Sequence, residues 1–282
     1  MSELANKAML ARLSIHGWSG NRQDKEASRQ IERQKNAQGK VGRYVKDLIV
    51  SDNLELYNRM AGAARRIHNE FTLPWLDDGS RLLPGEVFFE YRDNINYLRG
   101  EAMKAAEAFF EEYPYAKQRA AKRLGDLYNE ADYPNVEKLR NKFGFDLAFL
   151  PIPSADDWRV DIGEAEKARI QEDVEQRMKQ AEHEAMQDLW NRLFTAVNHM
   201  HERLADENNI FRDSMVENLE ELADLLPKMN VADDPELDNM TQEVRAKLLG
   251  QNPDTLRHDK HVRSQTASEA EDIVRRMRGF FG

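Results

Sequence analysis

The 282-residue chain contains no cysteine. That absence excludes a disulfide scaffold, an iron–sulfur cluster, a cysteine-ligated zinc and a thiol nucleophile. Glycine (14) and proline (9) are sparse, which excludes collagen-like, mucin-like or wholly low-complexity architectures. No apolar run approaches the roughly 18 residues that a membrane helix needs. Met1 to Leu13 has neither a continuous apolar stretch nor a small-residue cleavage site, so the expectation is a soluble, cytoplasmic protein. Phosphate-loop signatures are missing too: there is no Gly-x-x-x-x-Gly-Lys-Ser/Thr and no Gly-x-Gly-x-x-Gly. His16-Gly-Trp-Ser-Gly20 is not a Gly-x-Ser-x-Gly nucleophile elbow.

What is present is charge and helical periodicity. Charged residues make up 33% of the chain and hydrophobic residues 40%, enough for a real core. The net charge is −10, unevenly spread. Residues 1–50 carry ten Lys or Arg against five Asp or Glu, and residues 244–282 eight against five. The stretch between them holds 23 against 41. An acidic body is thus flanked by basic ends.

The alternation Leu13, Ile15, Trp18 reads as a short extended segment ending in glycines. Residues 21–46 are polar and basic, with few apolar residues before Val41. Such a stretch buries little surface and reads as a mobile arm or an exposed helix. Asp52 with Glu55 suggests a capping box. Tyr57, Met60, Ala64, Ile67 and Phe71 then form one apolar stripe, which Pro74 ends. Phe88, Tyr91, Ile95, Leu98, Ala102, Ala105 and Phe109 form a second, and the pair reads as an antiparallel hairpin. Pro114 and Pro134 are expected to break the next stretch into helices near 115–129 and 134–143. Phe143, Phe145, Leu147 and Phe149 alternate as in a strand, with Trp158–Ile162 as its expected partner.

The longest stripe comes after a capping-box pattern, Asp161-x-x-Glu164. Ile170, Val174, Met178, Ala181, Ala185, Leu189, Leu193, Val197, Met200 and Leu204 step by three or four residues. A helix over 164–206 would be roughly 60 Å long, so part of it should project or pair. Phe211 to Leu226 gives another amphipathic helix, which Pro227 should stop. Asp233-Asp-Pro-Glu236 signals a helix start reaching Gly250, and a last helix is expected over about 268–281.

The fold expectation is therefore mainly α, an elongated helical bundle with coiled-coil-like long helices and at most a small β element. It is organised as an N-terminal extended segment and basic arm (1–50), a helical hairpin with short helices (51–143), and a small extended segment, long helix and C-terminal helices (144–282).

Catalysis lacks positive support. The pairs Asp77-Asp78, Asp156-Asp157 and Asp233-Asp234 could hold a divalent cation for hydrolysis, but turn and capping chemistry accounts for them. His258 and His261 share a face near Asp254 and Asp259, without a third ligand at diagnostic spacing. Neither a metal nor a cofactor is expected, and the reading is not an enzyme. Two surfaces remain. Arg22, Lys25, Arg29, Arg33, Lys35, Lys40, Arg43 and Lys46 could contact the phosphates of DNA or RNA, with Trp18 or Tyr44 as a stacking ring. Ile170, Val174, Met178, Leu189, Leu193 and Val197 could form an assembly seam.

Four strings carry a family resemblance: Ile15-His-Gly-Trp-Ser-Gly20, Pro151-Ile-Pro-Ser-Ala-Asp-Asp-Trp-Arg-Val160, Phe211-Arg-Asp-Ser-Met-Val-Glu-Asn-Leu219 and Leu225-Leu-Pro-Lys-Met-Asn-Val-Ala-Asp-Asp-Pro-Glu-Leu237. With them the chain, from Leu10 to Phe281, resembles a bacteriophage and mobile-element family catalogued as a domain of unknown function. Its genes often lie near MoxR-type AAA ATPases and von Willebrand A proteins, and sometimes near recombination genes. The resemblance implies a phage accessory protein in the host cytoplasm, with an AAA ATPase or DNA as partner; the unpaired length of the 164–206 helix adds the expectation of a homo-oligomer. It implies no catalytic residues. A nucleic-acid-binding factor in phage replication or recombination is the alternative.

Overall fold

The computed structural model describes residues 3–76, 79–153, 163–206, 209 and 211–280. The chain is about 70% helical with a small antiparallel sheet. Its helices are α1 (Leu4–Lys7), α2 (Lys25–Gln34), α3 (Asp52–Phe71), α4 (Phe88–Leu124), α5 (Val136–Arg140), α6 (Glu164–Ala205), α7 (Asp213–Met229), α8 (Pro235–Leu248), α9 (Pro253–His258) and α10 (Lys260–Met277). Its strands are β1 (Ala8–His16), β2 (Asn21–Asp24), β3 (Tyr44–Asp47), β4 (Arg81–Pro84) and β5 (Gly144–Leu150). One sheet has the order β4-β1-β5 and a second pairs β2 with β3.

Two compact units form, each from discontinuous segments. One comprises 1–12, 69–91 and 148–282; the other comprises 13–68 and 92–147. Strand pairing and helix packing join segments far apart in the chain within each unit.

In the first unit β1 and β4 run antiparallel, with Ala8 opposite Pro84 and Leu10 opposite Leu82. The dominant packing is α6 on α10, with α7 and α8 adding to it. Every buried residue of α6 lies from Ala181 onward: Ala181, Ala185, Leu189, Trp190, Leu193, Val197, Met200 and Leu204. Facing them on α10, Ala267, Ala270, Ile273, Val274 and Met277 are buried. Each large aliphatic sealed in this way stabilises by roughly 1.5–3 kcal/mol.

Two arginines, Arg192 half-buried and Arg263 buried, close helix ends here. The last carbonyls of a helix lack partners within it. At the end of α3, Arg192 donates to the carbonyls of Asn69 (2.9 Å), Glu70 (2.6 Å) and Thr72 (2.7 Å). At the end of α6, Arg263 donates to those of Leu204 (3.0 Å), Arg203 (2.8 Å) and Asp206 (2.8 Å). A third arginine explains why α7 does not stop at Pro227. Proline has no N–H for the carbonyl four residues back. That carbonyl, on Ala223, instead accepts from Arg245 at 2.8 Å.

The second unit has an aromatic core. Trp18 stacks on Phe109 at 6.2 Å and meets Tyr113 edge-on at 5.8 Å. Phe143 lies edge-on to Tyr57 and Phe110. The same packing overrides the break expected at Pro114, which sits inside α4. Phe109, Phe110, Tyr113, Ala116 and Ala120 are buried on both sides of it. Their burial outweighs the roughly 3 kcal/mol that an interior proline costs. The helix expected at 115–129 is thus the end of α4, and the one at 134–143 shortens to α5.

Other boundaries also move. Ser51 caps α3, its Oγ accepting from Leu54 N at 3.3 Å, one residue before the expected Asp52. The buried stripe of α3 runs Leu54, Tyr57, Ala61, Ala64, His68, Phe71, so Met60 and Ile67 flank it. The last helix begins at Lys260 because Asp259 caps it. Trp158–Ile162 and Asp161 lie outside the described residues.

Gly20 shows how the second unit is anchored. Its φ of +68° is left-handed, and its carbonyl accepts from Leu48 N at 2.7 Å. A Cβ there would also lie 2.9 Å from Leu54 Cδ2. Gly20→Ala should therefore cost about 1–2 kcal/mol of backbone strain, read as a lower urea midpoint with an unchanged slope.

Candidate functional site

The basic segment folds, which corrects the mobile-arm expectation. Asn21 pairs with Asp47, Arg22 with Lys46, Gln23 with Val45 and Asp24 with Tyr44. The turn between the strands contains α2, capped by Asp24, whose carboxylate accepts from Glu26 N and Ala27 N. Ser28 Oγ accepts from Tyr44 N at 2.9 Å, tying α2 to β3. With so few apolar residues, caps and ion pairs hold this module together.

Lys46 is the centre of that network. Its ammonium is buried, 2.9 Å from Asp132, 3.1 Å from Asp24 and 2.7 Å from the Leu127 carbonyl. Arg22 reaches the other Asp132 oxygen at 3.1 Å. The Ala27 N–H and then the Lys46 ammonium hold the Asp24 carboxyl below the usual range. Burial opposes the Lys46 charge, but Asp132 and Asp24 outweigh it and raise its pKa. Lys46 therefore presents no face to a nucleic acid, and Arg22 is partly neutralised. The other six predicted residues, Lys25, Arg29, Arg33, Lys35, Lys40 and Arg43, are exposed. Lys25, Arg29, Lys40 and Arg43 converge on one cavity of about 610 Å³. Trp18 is locked in the aromatic core, so it is not a stacking ring for a base.

The assembly seam splits in two. Leu189, Leu193 and Val197 are fully buried in the first unit's own core, which removes them from any docking surface. Their side of α6 is covered by this chain's own helices, which periodicity alone does not reveal. Ile170, Val174 and Met178 are half-buried, at four-residue spacing, on the part of α6 before Ala181.

A cavity of about 1100 Å³ has no signature in the sequence. It lies between α6 and α7 and includes Asp188, Arg192, His199, Arg203, Arg212, Met215, Asn218 and Leu222. Its residues come from two helices and the segment that joins them, so no linear motif marks it. Asp188 is ion-paired to Arg192 at 2.7 Å, and Arg192 is committed to the α3 carbonyls. Among the described residues that line it, no two carboxylates face one another.

The remaining acidic and histidine clusters have structural partners. Asp234 caps α8 and accepts from Trp190 Nε1 at 3.0 Å. Asp233 pairs with Lys7. Asp259 caps α10 through His261 N and Val262 N, and Asp254 sits 3.6 Å from His258. Asp77-Asp78 and Asp156-Asp157 lie outside the described residues. Among the described residues no group of three or more His, Asp or Glu is arranged to hold a metal ion, and no helix is long and apolar enough to cross a membrane. Compared with family models, curated proteins and solved structures, the chain matches none.

Proposed function

We propose that this chain is a non-enzymatic interaction protein that associates with a second copy of itself through the first half of α6. The observation that carries the reading is the division of that helix at Ala181. Beyond it the apolar stripe is sealed in the chain's own core; before it Ile170, Val174 and Met178 continue the stripe, half-exposed among charged residues. A helix of 42 residues is roughly 63 Å long. Two copies laid along these first halves would bury one stripe against the other and form an elongated helical bundle with coiled-coil-like pairing between copies. The resemblance to a phage and mobile-element family supports an accessory role in the host cytoplasm. It adds a MoxR-type AAA ATPase as the class of larger partner.

The test is light scattering over a concentration series. The parent chain should approach a dimer or higher oligomer, and Val174→Glu with Met178→Glu should return it to monomer with an unchanged melting temperature. A strict monomer at every concentration, together with no binding to a purified MoxR-type ATPase, overturns the reading.

A further inference from the structure

The α2–β3 module carries a second surface, and its chemistry is mixed. Two adjoining cavities share Ser28, Glu32, Val41, Gly42 and Arg43. The larger is rimmed by the cations of Lys25, Arg29, Lys40 and Arg43. None of these four has a carboxylate partner among the described residues. The smaller, about 240 Å³, is walled by Ile31, Ala37, Val41 and Tyr44. Three large aliphatics are exposed to water within this one module: Ile31 (46%), Val41 (67%) and Val45 (51%). Exposed aliphatics gathered beside unpaired cations mark an interaction surface more than a solvated face.

We infer that this module is a docking site for a partner's acidic peptide segment that carries aliphatic side chains. One aliphatic side chain would fill the smaller cavity over Ile31 and Val41. Neighbouring carboxylates would meet Lys25, Arg29, Lys40 and Arg43, giving charge complementarity at the rim. The aliphatic wall of the smaller cavity fits a peptide side chain better than a phosphate backbone, which carries no aliphatic group. Glu32 lies in the shared wall, where its Oε1 accepts from Val41 N at 3.3 Å. Trp18 is packed against Phe109 and Tyr113 and offers no stacking face, and Tyr44 belongs to the wall of the aliphatic cavity. The site rests on the reading of this chain as an interaction protein but uses a different surface from α6.

The experiment selects phage-displayed random peptides of about a dozen residues on the full chain. It then measures the best binder by fluorescence polarisation, with oligo-dT of similar length as competitor. Enriched peptides should combine Asp or Glu with Leu, Ile, Val or Met. Their affinity should fall at least tenfold with Arg29→Glu and with Val41→Asp, and decline with added salt. Both positions are exposed, and circular dichroism melts should match the parent. Enrichment of no motif, binding that survives Val41→Asp, or displacement of the peptide by oligo-dT at lower concentration than by unlabelled peptide would each overturn the site. The last result would return the cations to a nucleic-acid role. Val174→Glu should leave peptide affinity unchanged, so failure here and failure of self-association are read separately.

Discussion

Arg263→Ala is expected to lower the stability of the first unit by about 3 kcal/mol, the scale of lost charge-assisted hydrogen bonds with their acceptors left unpaired. For a unit of this size that is a fall in melting temperature of roughly 6–12 °C. The reason is geometric. Arg263 is buried on α10, and its guanidinium is the partner of the Leu204, Arg203 and Asp206 carbonyls at the end of α6. Its positive charge also faces the negative end of that helix's dipole. A lysine has one ammonium in place of a planar fork, so Arg263→Lys should recover less than half of the loss. Arg275 lies on the same helix with an exposed partner, Asp272; Arg275→Ala should change stability by less than about 0.5 kcal/mol. Hydrogen exchange should localise the Arg263→Ala defect to amides near 201–206. Equal melting temperatures for the Arg263 and Arg275 variants would refute this account.

The second large effect is expected at Asp132. Asp132→Ala removes the carboxylate nearest the buried Lys46 ammonium and frees Arg22. Breaking one side of a buried pair costs about 3–5 kcal/mol when the remaining charge stays out of water; Asp24, still 3.1 Å from Lys46, holds the loss toward the lower end of that range. Lys46→Met should cost less, since Asp132 keeps Arg22 at 3.1 Å and the methionine replaces the lysine stem. The double variant should be more stable than the sum of the singles predicts. Urea titration monitored by circular dichroism checks this.

The same network sets a pH window. The Asp24 pKa is lowered in the fold, so its contribution is present above the ordinary aspartate value and is lost as pH falls below it through the folded pKa. The Lys46 pKa is raised, so its contribution is full below the ordinary lysine value and is lost as pH climbs past it. The module should be most stable between these limits, and Lys46→Met should reduce the alkaline dependence of its unfolding, leaving the part due to the raised pKa values of Tyr113, Tyr128 and Tyr133.

Much of the helical framework is legible in the sequence because amphipathic stripes have a strong period. The stripe from Ala181 to Leu204 is the buried face of α6, and Glu164–Ala205 matches the span read from it. Asp234 and Pro235 begin α8 as cap and first helical residue should. Breaks are less legible. Pro114 and Pro227 lie inside helices, one because burial around it outweighs the lost hydrogen bond, the other because Arg245 from another helix fills the vacancy. Both compensations depend on partners distant in the chain, Trp18 and Phe143 around the first and Arg245 at the second, so neither can be read beside the proline alone.

The candidate surfaces divide along the same line. Eight basic residues in one polar stretch are plain to count, and so is the isolated Val41 among them. The sequence does not show that Asp132, over 80 residues away, takes Lys46 and Arg22 out of that set. It equally does not show that Lys25, Arg29, Lys40 and Arg43 meet around one cavity beside Ile31.

By itself, then, the sequence determined the absence of thiol chemistry, the helical character, the long α6 and the charge contrast between basic ends and acidic middle. These come from composition and from periods of a few residues. Only the tertiary structure decided which apolar residues are sealed inside and which cations are neutralised. Those outcomes depend on contacts between segments distant in the chain, where burial and pairing energies exceed local propensity.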